Sequence, residues 1–431
     1  RQINKSYQTN FDLLINSGLY QKLVDNKMLI AHQSVKSLIP AEDGYKIIKP
    51  QLIPFISYPY EWSFSQLKDA ALLTLEIQKI ALDHGLSLKD ASAYNVQFLG
   101  HQPVFIDTLS FEKYQDGQPW IAYRQFCQHF LAPLALMDKK ELRLNLLLRD
   151  FIDGIPLDLA SRLLPPKSKL DLSLLSHIHL HALNQRRMAD KKINKTKLKM
   201  SKFQMISLLA NLKSTIEKLE IKKQQTEWEK YYTFTNYSDT AFRQKQTILK
   251  NFLKKIKPKT VLDLGANTGK FSQIACQTGA YTIACDIDPL AIEQAYLDSK
   301  KTKNKQLLSM IIDLTNPSPA LGWANQERKS FGQRLNVDCV VAFALIHHLA
   351  ISNNLPFELI AQYFHKLGQW LIIEFVPKQD SKVKILLQNR EDIFNNYSKE
   401  NFEKVFGEYY EIVGCKSIKE SKREIYLMKR K

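Results

Sequence analysis

Val261-Leu262-Asp263-Leu264-Gly265-Ala266-Asn267-Thr268-Gly269-Lys270-Phe271-Ser272 reads as a buried strand, a glycine turn and the first turn of a helix. β-Branched Val261 and its apolar neighbours lead in, two glycines mark the turn, and an amphipathic run from Phe271 to Cys276 leads away. A backbone folded this way can wrap a nucleoside-bearing ligand.

The same alternation continues outward. Strands are expected at Thr260 to Leu264, Tyr281 to Asp286, Gln306 to Asp313, Val337 to Ala344 and Trp370 to Phe375, with two more near Tyr409 to Val413 and Glu424 to Met428. Between them lie helices ending at Gln277 and spanning Pro289 to Asp298 and Phe357 to Leu367. Such a pattern predicts an α/β fold, a mostly parallel sheet with helices on both faces and a ligand at the carboxyl ends of the strands. A phosphate-binding Walker loop needs four residues between its glycines and then Lys-Ser or Lys-Thr. Here three separate Gly265 from Gly269, and Phe271 follows Lys270. A dinucleotide G-x-G-x-x-G fails too, because Asn267 and Lys270 stand at glycine positions.

On these residues the chain from Trp228 to the end resembles a class I S-adenosylmethionine-dependent methyltransferase, with a Rossmann-like, seven-stranded, mostly parallel sheet. The resemblance implies S-adenosylmethionine as cofactor. It places Asp263 beside the methionine portion, Gly265 and Gly269 where the backbone approaches the ligand, and Asn267 where the family often has a middle glycine. Asn enters left-handed backbone more cheaply than most residues. It also places Asp286 to accept hydrogen bonds from both ribose hydroxyls, and Asp313, read as ending the third strand, near the adenine. The loop after the fourth strand, Ala344-Leu345-Ile346-His347-His348-Leu349, then faces the transferred methyl group. His347 and His348 are candidate proton acceptors because imidazole titrates near neutrality; the alternative is a capping or packing role. Glu374, closing the fifth strand, either meets an acceptor group or only finishes the strand. The segment from Arg390 to Phe406 looks like an insertion and helix before the last two strands; such an insertion often helps shape the acceptor site, but no residue in it announces a substrate. Neither an Asn-Pro-Pro-aromatic signature nor a catalytic cysteine motif is present, which weighs against amino methylation of DNA and against cytosine-C5 chemistry.

In the amino-terminal half, Leu67, Ala70, Ala71, Ile77, Ile80 and Ala81 define an amphipathic helix over Ser65 to His84 that Gly85 closes. An extended aromatic segment, Phe55 to Trp62, precedes it. Asp90, then Asn95 after four intervening residues, then Asp107 beyond a turn at Gly100 resemble the catalytic loop and metal-binding aspartate of the protein-kinase-like and aminoglycoside-phosphotransferase-like fold. In that family one carboxylate orients a hydroxyl, while the amide and the second carboxylate hold magnesium against phosphates. The resemblance implies a kinase-like α+β, mainly helical domain, with Mg/ATP as cofactor if it is active. Leu88 stands where the family has histidine, Thr108-Leu109 replaces Phe-Gly, and no G-x-G-x-x-G loop occurs in the first hundred residues. A binding domain without phosphoryl transfer, or plain turn-forming roles for Asp90 and Asn95, are the alternatives. Helices are expected at Tyr123 to Leu136, Lys140 to Phe151 and Leu170 to Arg186. His177, His179 and His181 alternate within the last, with His177 and His181 on one helical face as a conceivable metal pair, or all three as ordinary core or surface histidines.

The expected organisation is a kinase-like domain at 1–190, a basic and helical linker at 191–227 and a methyltransferase domain at 228–431. Trp228, Tyr231, Tyr232, Phe234 and Tyr237 precede a helix from Ala241 to Ile256, suiting either a flap over the cofactor pocket or aromatic packing. The 431 residues carry a net charge of +18, with six lysines against one aspartate between Ala189 and Lys202. That balance suits solvated lysine-rich helices and keeps RNA among the acceptors, beside a small molecule, a glycan or a protein. Five cysteines without a C-x-x-C pair argue against a disulfide framework and a zinc site and suit reduced core thiols. With no spanning apolar run and no signal segment, the expected location is the cytoplasm. The functional expectation is methyl transfer to an unidentified acceptor; a bifunctional kinase-like methyltransferase and a binding protein are the alternatives.

Overall fold

A computed structural model describes residues 1–35, 41–183, 199–221, 239–388 and 391–431. The chain divides into two compact units, Arg1–Gln224 and Gln225–Lys431.

In the first unit, strands β1 (Gln2–Asn4), β2 (His32–Ser34) and β3 (Gly44–Pro50) form an antiparallel sheet with β3 in the middle. The apolar spacing over Phe11 to Leu23 is carried by two helices, Gln8–Asn16 and Leu19–Asp25. They are separated at Gly18, whose φ of 78° no helix accommodates. The long helix is Phe64–Asp83, started by a Ser63/Gln66 capping box and stopped before Gly85 at φ 74°. Two small ladders follow: β4 (Leu86–Leu88) with β7 (Phe111–Lys113), and β5 (Val96–Leu99) with β6 (Gln102–Phe105). Beyond them the chain is helical. The Tyr123–Phe126 and Ala132–Lys139 segments are joined by a π turn at Cys127–Leu131. The Lys202–Lys218 helix, expected within a linker, packs against Phe64–Asp83 and belongs to this first unit. The aromatic run from Trp228 to Tyr237 and most of the basic run after Ala189 lie outside the described residues.

The second unit is built on β8 (Thr260–Leu264), β9 (Tyr281–Asp286), β10 (Leu307–Ile311), β11 (Val337–Ala342), β12 (Gly368–Phe375), β13 (Tyr410–Ser417) and β14 (Glu424–Arg430). Their order across the sheet is β10-β9-β8-β11-β12-β14-β13. The first five run parallel, and β14 is antiparallel to both β12 and β13. Strand β8 is central, with Asp263 opposite Ala284 on one side and Val341 on the other. Four of its five residues are buried, because helices cover both faces. The Asp239–Ile256 helix contributes Leu249, Phe252 and Leu253 to a core shared with Val261, Cys339, Val341, Ile372 and Leu427. Strand order reverses between β8 and β11, which opens a crevice at their carboxyl ends. No helix among the described residues is long and apolar enough to cross a membrane.

Candidate active site

The turn after β8 folds back over the end of β9. The amides of Gly265 and Ala266 both donate to the Cys285 carbonyl, at 2.9 and 3.0 Å. This requires left-handed backbone at Gly265 (φ 72°), Asn267 (φ 53°) and Gly269 (φ 73°), and Gly269 then caps the Lys270–Gln277 helix. Asp286 ties the turn to β9: its Oδ2 accepts from the Asn267 amide at 2.8 Å, and its Oδ1 accepts from the Asp288 amide at 3.0 Å. Each oxygen keeps a second lone pair, which is what a pair of ligand hydroxyls would use.

Asp263 is buried and accepts a 2.5 Å hydrogen bond from the Ser272 hydroxyl. Burial pushes its carboxyl up to about 7, and the nearby Asp286 charge adds to that. Burial raises Asp286 as well, with the Asp288 charge a smaller cause. Two acids withdrawn from water at the ends of adjacent parallel strands make a place where a cation is welcome. Ser272 lies inside the stretch that opened the sequence reading but carried no expected role; only its place on the buried face of a short helix could have drawn notice.

Asp313 is displaced from the position expected for it. Strand β10 stops at Ile311, and Asp313 lies two residues further on. There its Oδ1 accepts from both the amide and the hydroxyl of Thr315, at 2.8 and 2.7 Å. It shapes a turn at the same rim rather than ending the strand.

After β11 the chain turns at Ala344, whose φ of 49° is unusual for alanine. Its amide donates to Glu374 Oε2 at 2.8 Å. Glu374 is fully buried and also accepts from Lys245 Nζ at 2.7 Å, while Arg423 approaches its other oxygen at 3.4 Å. Arg423 in turn holds Asp380 through two hydrogen bonds, at 2.6 and 2.8 Å. Glu374 thus anchors the loop after β11 and the Asp239–Ile256 helix. Sequence reasoning missed Lys245 and Arg423, both buried cations in stretches that otherwise read as solvated.

His347 is completely buried, and neither ring nitrogen has a hydrogen-bond partner among the described residues. Burial, and then the charges of His348, Lys245 and Lys382, hold its pKa well below the ordinary histidine value. His348 is half-buried, 4.3 Å from His347 between ring centroids, and burial with the Lys382 ammonium lowers it to about 4. Both rings are neutral at pH 7.

In the first unit, Asn95 and Asp107 meet at one hydroxyl. Asn95 Nδ2 lies 3.3 Å from Ser110 Oγ, which donates to Asp107 Oδ2 at 2.6 Å. Arg1 pairs with Asp107 Oδ1 at 2.5 Å. Asp90 has different partners, accepting from the Ser92 amide and from Gln125 Nε2. His177 bonds Tyr123 and Asn211, and His179 bonds Ser161 and Ser168. Those contacts occupy both rings without a metal.

The residues at the rim fit S-adenosylmethionine: an acid pair that favours a cationic ligand, a carboxylate with lone pairs for two hydroxyls, and a turn whose left-handed positions bring backbone rather than side chains to the crevice. Together with the strand order, they give the second unit the seven-stranded, mostly parallel fold of class I S-adenosylmethionine-dependent methyltransferases. No family model matches the chain. It is 37% identical over 420 residues to nodulation protein NoeA of Rhizobium meliloti, an alignment covering 95% of this chain and 88% of that protein. The chain belongs to the NoeA family. Among solved structures it is similar to magnesium protoporphyrin IX methyltransferase ChlM of Synechocystis, at 18% identity and a TM-score of 0.33, covering 47% of this chain and 89% of that one. N-methyltransferase NodS of Bradyrhizobium japonicum shows 13% identity and a TM-score of 0.33 over 45% of this chain and 98% of its own. The bifunctional kinase-methyltransferase WbdD shows 15% identity and a TM-score of 0.31 over 44% of this chain and 40% of its own.

Proposed function

We propose that the second unit moves a methyl group from S-adenosylmethionine to an acceptor seated at the carboxyl ends of β11 and β12, with His348 receiving the acceptor's proton. The observation that carries this reading is the pairing of buried Asp263 with Asp286 around the Gly265 to Gly269 turn. When bound, the donor supplies an electrophilic methyl on a sulfonium. Asp286 would accept from the ribose hydroxyls, and Asp263 would face the positively charged methionine portion. The turn backbone leaves the crevice open to both. The bound donor would supply the methyl carbon and keep the carbon–sulfur electron pair on sulfur, and the neutral His348 ring would take up the proton that the acceptor loses. Glu374, engaged by Lys245 and the Ala344 amide, acts as a positioning residue that sets the loop carrying His347 and His348.

Titration calorimetry with S-adenosylhomocysteine tests the donor site. Binding by the intact chain is expected to weaken at least about tenfold in Asp286→Ala, the loss of roughly 1.4 kcal/mol of hydrogen bonding. Absence of binding by the unaltered protein would overturn the reading.

A second reading concerns the first unit, where Asn95 and Asp107 converge on Ser110. These two side chains would hold magnesium on a nucleotide, with Arg1 displaced from Asp107. Magnesium-dependent ATP binding that disappears in Asp107→Ala while S-adenosylhomocysteine binding persists is the expected result. No ATP binding in the unaltered chain would leave the first unit as a binding module.

A further inference from the structure

A cleft of about 460 Å³ opens between the start of the Phe357–Leu367 helix and the segment before the Lys399–Tyr409 helix. Its size is that of a small-ligand site. One wall includes Ala350, in the π turn His348–Ser352 that directly continues the loop after β11. The opposite wall is fixed to the end of β12: the Tyr397 hydroxyl donates to the Val376 carbonyl at 2.6 Å, and its ring stacks on Phe375 with centroids 5.7 Å apart. Both walls are therefore chain leaving the carboxyl ends of neighbouring strands, the rim to which the donor turn also belongs.

The lining has a definite chemistry. Its floor is aromatic, with buried Phe357 and Tyr397 in contact at 5.3 Å. Its lining includes four amides, Asn354, Asn395, Asn396 and Asn401, the last already donating from Nδ2 to the Asn396 carbonyl at 2.9 Å. The loop that presents two of them is braced by Asp392, which accepts from Lys378 Nζ at 2.8 and 2.9 Å and from the Phe394 amide at 3.1 Å. On a chain of net charge +18, the described lining contains neither lysine nor arginine, and one carboxylate, Glu358. Asparagine amides both donate and accept, as sugar hydroxyls and acetamido groups do, so the rim suits a ligand dense in neutral groups of both kinds. An apolar floor beneath an amide rim matches the apolar face and hydroxyl edge of a sugar ring.

We infer that this cleft is the acceptor subsite and that the acceptor is a neutral saccharide. The inference rests on the methyltransferase reading for the word acceptor, but the binding it asserts is measurable without a donor. Saturation-transfer NMR on the intact chain with cellobiose, lactose and N,N′-diacetylchitobiose is expected to show transfer from at least one of them. A matched uronic-acid disaccharide is expected to give none. Asn395→Ala with Asn396→Ala, both exposed and so tolerated by the fold, is expected to weaken that binding at least tenfold while S-adenosylhomocysteine binding is unchanged. Three outcomes would overturn the inference: no neutral disaccharide binds, binding is undiminished in the double variant, or the double variant weakens binding of a short RNA instead. Loss of S-adenosylhomocysteine binding by the unaltered chain would sink the donor reading while leaving the saccharide result to stand or fall by itself.

Discussion

Lys245 Nζ lies 2.7 Å from Glu374 Oε2, and the two side chains, 129 residues apart, are 2% and 0% exposed. The ammonium also sits 5.3 and 5.2 Å from the ring centres of Phe271 and Phe343. A charge so enclosed depends on its partner, and that partner also accepts from the amide of Ala344, where the chain turns toward His347 and His348. The pair thus links the helix preceding β8 to the loop following β11.

Lys245→Met strips Glu374 of its nearest counter-charge while filling similar space. Removing one member of a buried pair costs about 3–5 kcal/mol. Arg423 at 3.4 Å offsets part of this, so the lower end is expected. Lys245→Met with Glu374→Gln should recover at least half of the loss, because the orphaned charge is gone. Urea unfolding measures both, and a single-variant loss under about 1 kcal/mol would show that the pair contributes little.

Asp263 and His348 make opposite contributions to stability against pH. The Asp263 carboxyl is raised to about 7, so between the unfolded value near 4 and 7 the native state holds an extra proton, and stability falls as pH rises through that window. The His348 ring is lowered to about 4, so between 4 and the unfolded value near 6.5 the native state holds fewer protons, and stability falls as pH drops. Asp263→Asn should therefore steepen the loss of Tm between pH 7 and 4.5, while His348→Gln should flatten it. Identical profiles for the two variants would contradict the environments described for these groups.

The same burial fixes what the paired histidines can do near neutrality. His348, lowered to about 4, is expected to show no imidazole titration by NMR between pH 5.5 and 8, with His347 equally silent. A rate that depends on His348 as proton acceptor should be flat across that range and lost roughly a hundredfold or more in His348→Ala. An inflection near 6.5 would mean a solvated ring.

Strands β8 and β9 are legible to the residue because parallel strands buried on both faces are short, mostly apolar runs, with Asp263 one residue before the end of β8 and Asp286 at the end of β9. That logic overreached at Asp313: the apolar run stops at Ile312, and the next aspartate belongs to a turn set by Thr315 rather than to the strand. Pairings across long sequence separations left no trace. Lys245 differs from Lys250, Lys254 and Lys255 on the same helix only in falling on the stripe of Ala241, Ile248, Leu249 and Phe252, and the partner that makes its burial tolerable, Glu374, lies 129 residues later. Glu374 could be placed at the rim from its strand, but its role depends on Lys245, Arg423 and Ala344 together. In the first unit, the spacing of Asp90, Asn95 and Asp107 was readable, whereas the Ser110 hydroxyl that joins the last two appears only once the hairpin brings them together.

The donor turn yields a sharper test, because two of its left-handed positions carry different residues. Gly269 holds φ 73°, and a Cβ added there would meet the Ala295 Cβ at 3.5 Å, an ordinary contact. The penalty of Gly269→Ala is therefore backbone strain, about 1–2 kcal/mol. Asn267 at φ 53° already accommodates this conformation, and its side chain accepts from the Thr268 amide. Asn267→Gly gains conformational ease but loses that contact and loosens the unfolded chain. The opposing effects, each under about 1 kcal/mol, should leave stability within roughly 0.5 kcal/mol of the starting value. The Asn267 amide would still donate to Asp286, so S-adenosylhomocysteine affinity should also survive that change. Chemical denaturation with calorimetry on both variants decides the point: equal destabilisation by the two, or a tenfold affinity loss in Asn267→Gly, would mean that the Asn267 side chain rather than the turn's backbone shape holds the donor.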